Sequence, residues 1–156
     1  MLKSIVKSLL LNVAITGGLF LVAYLISFLD SFLLLPSFKS NILSIIGLFI
    51  ITIGFIVRVY ASATFYENKL SVVRLRAQNR LVTQGPYKLS RNPLYIGLTL
   101  IFLGFAVLLG TTAGVIAAII HFIAWHIWVV NFEEKSLERK FGNEHVEHKE
   151  ETPRWL

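Results

Sequence analysis

Residues 94–130 read LYIGLTLIFLGFAVLLGTTAGVIAAIIHFIAWHIWVV and contain no Asp, Glu, Lys or Arg. A helix needs only about 20 residues to cross the roughly 30 Å hydrocarbon core of a bilayer, so this stretch is too long for one ordinary span. The sequence Gly110-Thr111-Thr112-Ala113-Gly114 near its middle is typical of a turn. We therefore expect two short transmembrane helices joined as a tight hairpin.

Two more apolar stretches precede this hairpin. Residues 8–29 carry no charge, and residues 42–66 are interrupted only by Arg58. With 55% hydrophobic residues and a mean hydropathy of +0.69, a small soluble domain could not bury so much apolar surface. The sequence predicts an all-α, polytopic membrane protein with four transmembrane helices and a short cytoplasmic C-terminal helix, organised as a single domain over residues 1–156.

The distribution of charge predicts the orientation of these helices. Residues 67–92 contain six basic residues and one acidic residue, a local net charge of +5, and Lys3 and Lys7 precede the first helix. Basic loops lie mostly on the cytoplasmic side. We expect an integral membrane protein with both termini in the cytoplasm, in a bacterial or archaeal inner membrane or, in a eukaryote, the endoplasmic reticulum. Anionic lipid headgroups are the nearer partner for the basic loop, so nucleic-acid binding is not expected.

Three polar residues inside the predicted spans are candidates for function. Arg58 lies about two turns from the cytoplasmic end of the second helix, where it could face a partner or a wet cavity, or extend toward the headgroups. His121 shares a helix face with Trp125, and His126 shares another with Glu133. Packing is the simplest interpretation of His121, whereas packing and function are equally open for His126. With no metal-ligand spacing and no cysteine, no metal is expected.

A basic, turn-rich loop leads into the third helix, and residues 85–97 read GPYKLSRNPLYIG. Asn92-Pro93 favours a helix start, because Asn caps well and Pro fits the first helical position. Helix initiation does not explain Tyr87 and Tyr95, or the acidic pair Glu133-Glu134 that the hairpin returns to the same face. Aromatic rings beside a carboxylate suit a sulfonium or ammonium cation. Solvated charge at the start of a tail helix is the simpler interpretation of the acidic pair alone.

Together these residues resemble the isoprenylcysteine carboxyl methyltransferase and phospholipid methyltransferase superfamily of integral membrane enzymes. The resemblance covers about residues 80–156 and rests on segments in the family's order. These are LVTQGPY (81–87), RNPLYIG (91–97), EEKSL (133–137), FGNEH (141–145) and Pro153-Arg154. Their order and spacing make the resemblance specific, whereas the first two helices carry no comparable motif.

The resemblance implies S-adenosylmethionine as the methyl donor, bound at the cytoplasmic face without a Rossmann domain. It also implies a lipophilic acceptor that enters from the bilayer. The residues implied to bind the cofactor belong to the loop, the start of the third helix and the acidic pair: Leu81, Val82, Tyr87, Asn92, Pro93, Leu94, Tyr95 and Glu133.

Catalysis in such an enzyme consists mainly of holding donor and acceptor about 3–3.5 Å apart. The acceptor is expected between the second and fourth helices, near Arg58 and His126. Arg58 would orient an anionic headgroup or carboxylate, and His126 or Glu134 would accept a proton from an amine acceptor. A carboxylate acceptor would need no base. Arg58, His126 and Glu134 are therefore the candidate catalytic residues.

The sequence departs from the family's pattern in ways that bear on the acceptor. Asn92 stands where the family usually has histidine, and His145 and His148 stand at tail positions where tyrosine is usual. Residues 128–131 lack the arginine with which prenylcysteine enzymes hold the substrate carboxylate. The missing arginine argues against a prenylcysteine carboxylate acceptor more than against methyl transfer.

Three other functions are compatible with the sequence. A phospholipid amine is the nearest alternative acceptor. A nicotinamide-dependent membrane reductase is another, because sterol reductases have a similar C-terminal pattern. From a different class, the chain could be a catalytically silent membrane scaffold. Binding of S-adenosylmethionine, of a nicotinamide, or of neither would distinguish these possibilities.

Overall fold

The computed structural model describes residues 2–70, 72 and 80–156, and most of these residues are helical. Six α-helices follow in chain order: α1 (Leu2–Phe32), α2 (Asn41–Glu67), α3 (Pro93–Leu109), α4 (Thr112–Trp128), α5 (Glu134–Phe141) and α6 (Asn143–Glu151). A 3-10 turn occupies Gly85–Lys88, and a π-helical turn at Val129–Glu133 joins α4 to α5 without a break. The described ranges contain no β-strand, which confirms the all-α prediction. Arg74 and Arg76 of the predicted basic loop lie outside the described residues.

Three helical segments are long and apolar enough to cross a membrane: Leu2–Phe32, Asn41–Glu67 and the continuous Thr112–Phe141. The remaining apolar helix, α3, has 17 residues. At about 1.5 Å per residue it spans roughly 26 Å, slightly less than the hydrocarbon core. Three long apolar helices are therefore confirmed, and a fourth membrane crossing stays a prediction. The tail forms two short helices rather than one, because Gly142 adopts φ 52° and divides α5 from α6.

The hairpin turn lies where the sequence predicts it. Gly110 ends α3 in the left-handed conformation, with φ 65°, and a side chain there would collide with the backbone of Lys39. Asp30, at the end of α1, caps α4 from a distance: its carboxylate accepts from the amides of Thr112 at 3.1 Å and Ala113 at 2.8 Å. The otherwise unpaired N–H groups of α4 are thus satisfied, and this end of α1 is joined to the hairpin.

Helix α3 lies in contact with each of the other three apolar helices, and its closest partner is α2. Glycines allow this approach. A methyl group added at Gly97 would lie 2.7 Å from the carbonyl oxygen of Gly54, and one added at Gly104 would lie 2.9 Å from that of Gly47. Small residues at these positions let two membrane helices pack backbone to backbone. This close packing brings residue 58 of α2 against the start of α3.

Helix α1 is mostly exposed and is held to α2 by hydrogen bonds. The side-chain oxygens of Ser8 and Ser62 lie 2.5 Å apart, and Asn12 Nδ2 donates to Ser62 Oγ at 2.8 Å. All three residues are fully buried. Polar groups in an apolar interface favour one specific pairing of helices, so these contacts determine the register of α1 on α2.

Candidate functional site

The start of α3 and the end of the α4 segment are joined by a hydrogen bond from Tyr95 Oη to Glu133 Oε2, at 2.7 Å. Glu133 is the last residue of the π-helical turn Val129–Glu133. A π-turn contains one more residue per turn than an α-helix, so it changes the direction of the side chains that follow, and such turns are frequent at functional sites. The side chains of the acidic pair therefore have different partners: Glu133 accepts from Tyr95, and Glu134 contacts a different set of residues.

Tyr87 lies beside this pair. Its side chain is buried, and Tyr87 Oη has no hydrogen-bond partner among the described residues. Burial raises the pKa of the Tyr87 hydroxyl well above its usual value; nearby Glu133 and Tyr95 raise it further, whereas Arg58 lowers it. Tyr87 therefore stays a neutral hydroxyl and interacts electrostatically with Tyr95, Glu133 and Arg58, and we call these four residues the polar cluster.

Arg58 reaches the same cluster from α2. It is buried, and its guanidinium donates from Nη1 to the carbonyl oxygen of Leu94 at 3.0 Å. Arg58 Nε has no partner in the part of the chain that the structure describes. The sequence left two orientations of Arg58 open, and in the structure its side chain faces the protein interior rather than the headgroups. Arg58 takes this orientation because its backbone and Cβ pack closely on Gly97 of α3.

Val82, Tyr87 and Leu94 pack together with Ala61 and Phe65 of α2. Two of the predicted cofactor residues of the loop, Val82 and Tyr87, thus share one apolar cluster with Leu94 at the start of α3. On the other side of the loop lies a cleft of about 260 Å³, lined by Leu81, Val82 and five residues outside the predicted set: Asn68, Arg80, Thr83, Gln84 and Glu144. Sequence reasoning missed Asn68 and Glu144, because neither belongs to a local motif and only the fold brings them to the loop.

Glu134 lies in an ion-pair cluster of its own. Its carboxylate receives Arg154 Nε at 3.0 Å and Arg154 Nη2 at 2.8 Å, and Arg91 Nη1 lies 2.8 Å away. The hydrogen bonds to Glu134 raise the pKa of Arg154. A bidentate arginine–carboxylate pair is among the stronger and more directional contacts in proteins. The observed contacts of Glu134 are thus those of an anchor for the C-terminal tail, and its predicted role as a proton acceptor stays a prediction.

Asn92 belongs to the same anchor. Its amide donates from Nδ2 to the carbonyl oxygen of Arg154 at 3.1 Å, and Ser90 Oγ donates to that oxygen at 3.0 Å. Asn92 occupies the N-cap position of α3 but forms no capping hydrogen bond with its side chain, and Pro93 begins the helix as predicted. The amide of Asn92 therefore holds the tail in place rather than capping α3.

His126 lies elsewhere. Its Nδ1 accepts from Trp155 Nε1 at 3.0 Å, so it too contacts the C-terminal tail. Helix α3 lies between α2 and α4, which share no extensive contact. An acceptor position near both Arg58 and His126 therefore stays a prediction. Arg58 donates to the carbonyl oxygen of Leu94 and interacts electrostatically with Tyr87 and Tyr95. Within the described residues, no group of His, Asp and Glu is arranged to hold a metal ion.

The fold and its apolar helices define an integral membrane protein. The chain belongs to the phospholipid methyltransferase family, whose sequence profile matches residues 42–144. The match begins in α2 and extends to the start of α6, so it includes the loop, the hairpin and the acidic pair.

Plant enzymes are similar to the chain at moderate identity. Protein-S-isoprenylcysteine O-methyltransferase B of Arabidopsis thaliana is 29% identical over 111 residues, which cover 69% of this chain and 55% of that protein. A probable protein-S-isoprenylcysteine O-methyltransferase of Oryza sativa subsp. japonica is 30% identical over 121 residues, 74% of this chain and 62% of that protein. Protein-S-isoprenylcysteine O-methyltransferase A of Arabidopsis thaliana is 28% identical over 131 residues, 81% of this chain and 66% of that protein. The chain thus spans between about half and two thirds of the length of these relatives.

Proposed function

We propose that the protein transfers a methyl group from S-adenosylmethionine to a lipophilic acceptor at the cytoplasmic face of the membrane. One observation carries the proposal: Tyr95 Oη donates to Glu133, and the buried hydroxyl of Tyr87, which has no partner among the described residues, interacts electrostatically with both. Family membership and the names of the plant relatives support methyl transfer as the class of reaction.

The chemistry of the cluster fits this cofactor. A sulfonium is a cation, and a carboxylate beside aromatic rings attracts it by charge and by cation–π interaction. When bound, S-adenosylmethionine supplies an electrophilic methyl group. Glu133, Tyr87 and Tyr95 would hold its charged centre, with the unpartnered Tyr87 Oη available for a hydrogen bond. The other residues proposed to contact it belong to the loop and the start of α3: Leu81, Val82, Pro93 and Leu94. Asn92 would shape the site through its bond to Arg154.

The contacts of the candidate bases Glu134 and His126 favour a methyl acceptor that reacts without a catalytic base. Glu134 is held by two arginines, and His126 Nδ1 accepts from Trp155, so both groups are already engaged. A carboxylate is nucleophilic without losing a proton, whereas an ammonium must first be deprotonated. We propose a carboxylate on a lipid-like molecule, such as a prenylcysteine, as the first acceptor class to test, with a phospholipid amine as the alternative.

Arg58 is the proposed group for orienting that carboxylate. It is a buried cation that interacts electrostatically with Tyr87 and Tyr95, and its Nε lacks a partner among the described residues. An arginine fits a carboxylate in geometry as well as in charge. Arg58 would thereby supply, from α2, the cation that residues 128–131 lack.

The proposed site requires a defined topology. Four crossings, with α3 as the short third one, would place both termini and the residue 67–92 loop in the cytoplasm. The polar cofactor would then arrive from water, and the acceptor would arrive from the bilayer.

Transfer of a labelled methyl group tests the proposal. Purified protein in nanodiscs is incubated with methyl-labelled S-adenosylmethionine and either N-acetyl-S-farnesylcysteine or phosphatidylethanolamine, and the lipid phase is counted. We expect a base-labile label on the farnesylcysteine, as a methyl ester gives. Label only on the phosphatidylethanolamine would overturn the acceptor, and no label on either would count against both proposed acceptors.

A further inference from the structure

His121 of α4 is linked by a hydrogen bond to the aromatic residue one turn further along the helix. His121 Nε2 accepts from Trp125 Nε1 at 2.8 Å. An indole N–H can only donate, so Nε2 carries no proton. The remaining ring proton of the neutral imidazole is then on Nδ1, which faces Thr99 Oγ1 of α3 at 3.5 Å. The bond to Trp125 therefore determines the tautomer of His121.

The ring of His121 is also fixed by packing. The buried ring of Phe102 on α3 lies nearly perpendicular to it, with centroids 5.4 Å apart. Contacts to Thr99 and Phe102 on one helix and to Trp125 on its own helix leave the imidazole a single orientation. Its acceptor nitrogen consequently defines where the indole of Trp125 must lie.

The indole in turn packs against the candidate site. The rings of Trp125 and Tyr95 have centroids 4.6 Å apart and an interplanar angle of 33°. The hydroxyl of Tyr95 then donates to Glu133 at 2.7 Å. Three contacts in series thus join an imidazole inside the helical bundle to the carboxylate at the end of the same helix.

The geometry points to His121 as a positioning residue for the site. His121 holds the indole of Trp125, and the indole fixes the ring of Tyr95. The position of the Tyr95 hydroxyl, which donates to Glu133, is fixed as a result. The inference rests on the proposed function for the identity of the ligand, but not for the chain of contacts itself. His121 touches neither Tyr95 nor Glu133 in this chain of contacts, and it acts only through Trp125. Preorganised groups bind a charged ligand more tightly than groups that must first be ordered.

Two substitutions of His121 separate positioning from packing. His121→Leu removes the acceptor for the indole N–H but fills similar space. His121→Gln provides an amide oxygen that can accept from Trp125 and an amide N–H that can donate to Thr99. Trp125→Phe keeps an aromatic ring near Tyr95 but removes the indole N–H together with part of the ring surface, so it serves, with the Tyr95 Cζ resonance as its readout, if His121→Leu does not fold. Ile120→Ala, on the exposed surface of the same helix, is the matched control.

The first measurement uses ligand-free protein in nanodiscs with ¹⁵N-labelled indoles and ¹³Cζ-labelled tyrosines. We expect His121→Leu to move both the Trp125 Nε1 resonance and the Tyr95 Cζ resonance, and His121→Gln and Ile120→Ala to leave them near their wild-type positions. An unmoved Trp125 resonance in His121→Leu, or a moved Trp125 resonance with an unmoved Tyr95 resonance, would overturn the inference.

The second measurement is calorimetry with S-adenosylhomocysteine on the same proteins. We expect the Kd to rise about 5- to 20-fold in His121→Leu, with recovery to within about twofold in His121→Gln. An unchanged Kd in a folded His121→Leu protein would contradict a positioning role. If the wild-type protein binds no S-adenosylhomocysteine, the proposed function fails by itself, and the resonances of Trp125 and Tyr95 still decide the role of His121.

Discussion

Arg154 binds both carboxylate oxygens of Glu134, at 3.0 and 2.8 Å, across 20 residues of sequence. Together with Arg91 on the other side of that carboxylate, the pair holds the C-terminal tail against the loop that leads into α3. Glu133, the neighbour of Glu134 in sequence, takes no part in these ion pairs and instead accepts a hydrogen bond from Tyr95. The two adjacent glutamates therefore differ in role: one anchors the tail, and the other belongs to the candidate site.

Removing the anchor should loosen the tail. Glu134→Ala leaves two arginines without their shared carboxylate, so we expect a loss of about 2–4 kcal/mol in the free energy of unfolding. Limited proteolysis should also cut residues 152–156 sooner. Glu138→Ala is the matched control, because it removes an exposed pair with Lys149 at 3.4 Å worth about 1 kcal/mol or less. Equal effects of the two changes would contradict the anchoring role.

Tyr87→Phe should affect binding and stability in opposite ways. The hydroxyl it removes is buried and has no partner among the described residues, so we expect the free energy of unfolding to stay the same or to rise by up to about 1 kcal/mol. The affinity for S-adenosylmethionine should fall about 3- to 10-fold through loss of one hydrogen bond. Tyr24→Phe, an exposed tyrosine of α1, should change neither. A destabilised Tyr87→Phe protein with unchanged cofactor affinity would remove Tyr87 Oη from the site.

Arg58→Lys should impair turnover more than cofactor binding. Lysine keeps the charge but cannot match the two oxygens of a carboxylate as arginine does. For a carboxylate acceptor we expect kcat/KM to fall at least about tenfold, while the Kd for S-adenosylhomocysteine changes less than about twofold. Steady-state kinetics and calorimetry on one preparation measure both. Intact turnover in the variant would show that Arg58 does not orient the acceptor.

Stability should decrease on acidification because of two buried histidines of α6. Burial is the main cause that lowers the pKa of His145, and the neighbouring Arg91 lowers it further. Burial and Arg91 also lower the pKa of His148. A histidine with a lowered pKa in the folded state binds fewer protons than in the unfolded state, where its pKa is about 6.5. Its contribution is complete above about pH 6.5 and is lost as the pH falls below that value.

Urea unfolding between pH 7.5 and 5.0 checks this expectation. His145→Gln cannot titrate, so the variant should lose less stability over that range than the wild-type protein. The double variant with His148→Gln should lose least. Two results would show that His145 does not cause this pH dependence: a free energy of unfolding that rises on acidification in the wild-type protein, or the same change of that free energy with pH in His145→Gln as in the wild-type protein.

Cysteine labelling tests the orientation of the helices without interference, since the chain has no native cysteine. We expect a membrane-impermeant maleimide added outside intact cells to label Lys39→Cys but not Glu144→Cys. Gln78→Cys, at a position outside the described residues, should behave like Glu144→Cys. Strong external labelling at residue 78 or 144 would refute the cytoplasmic placement of the loop and tail.

Local sequence rules predicted much of the fold. The uncharged stretch and the turn at Gly110 located the α3–α4 hairpin, because turn formation depends on residue type. The cap that Asp30 gives α4 was not predictable. It joins residues more than 80 apart in sequence, and no local pattern marks the pairing.

The candidate site was predictable as a set of residues but not as a geometry. The motifs gave Tyr87, Tyr95 and Glu133; the structure joins Tyr95 to Glu133 by a hydrogen bond, and Tyr87 interacts with both electrostatically. The acceptor position near Arg58 and His126 stays a prediction, and α3 packs against both of the helices that carry these residues. The different partners of Glu133 and Glu134 were also not predicted, because they depend on a π-helical turn and on a C-terminal tail that folds back to residue 134.

Binding of S-adenosylhomocysteine to wild-type and Glu133→Ala protein, measured by calorimetry in nanodiscs, tests the central claim most directly. The wild-type protein should bind it and should give no heat with a reduced nicotinamide. Glu133→Ala should lose about 1–3 kcal/mol of binding free energy, roughly 5- to 150-fold in Kd, through loss of one charge-assisted contact, while its unfolding temperature stays close to that of the wild-type protein. Absence of binding in the wild-type protein, or an unchanged Kd in a folded Glu133→Ala protein, would contradict the account.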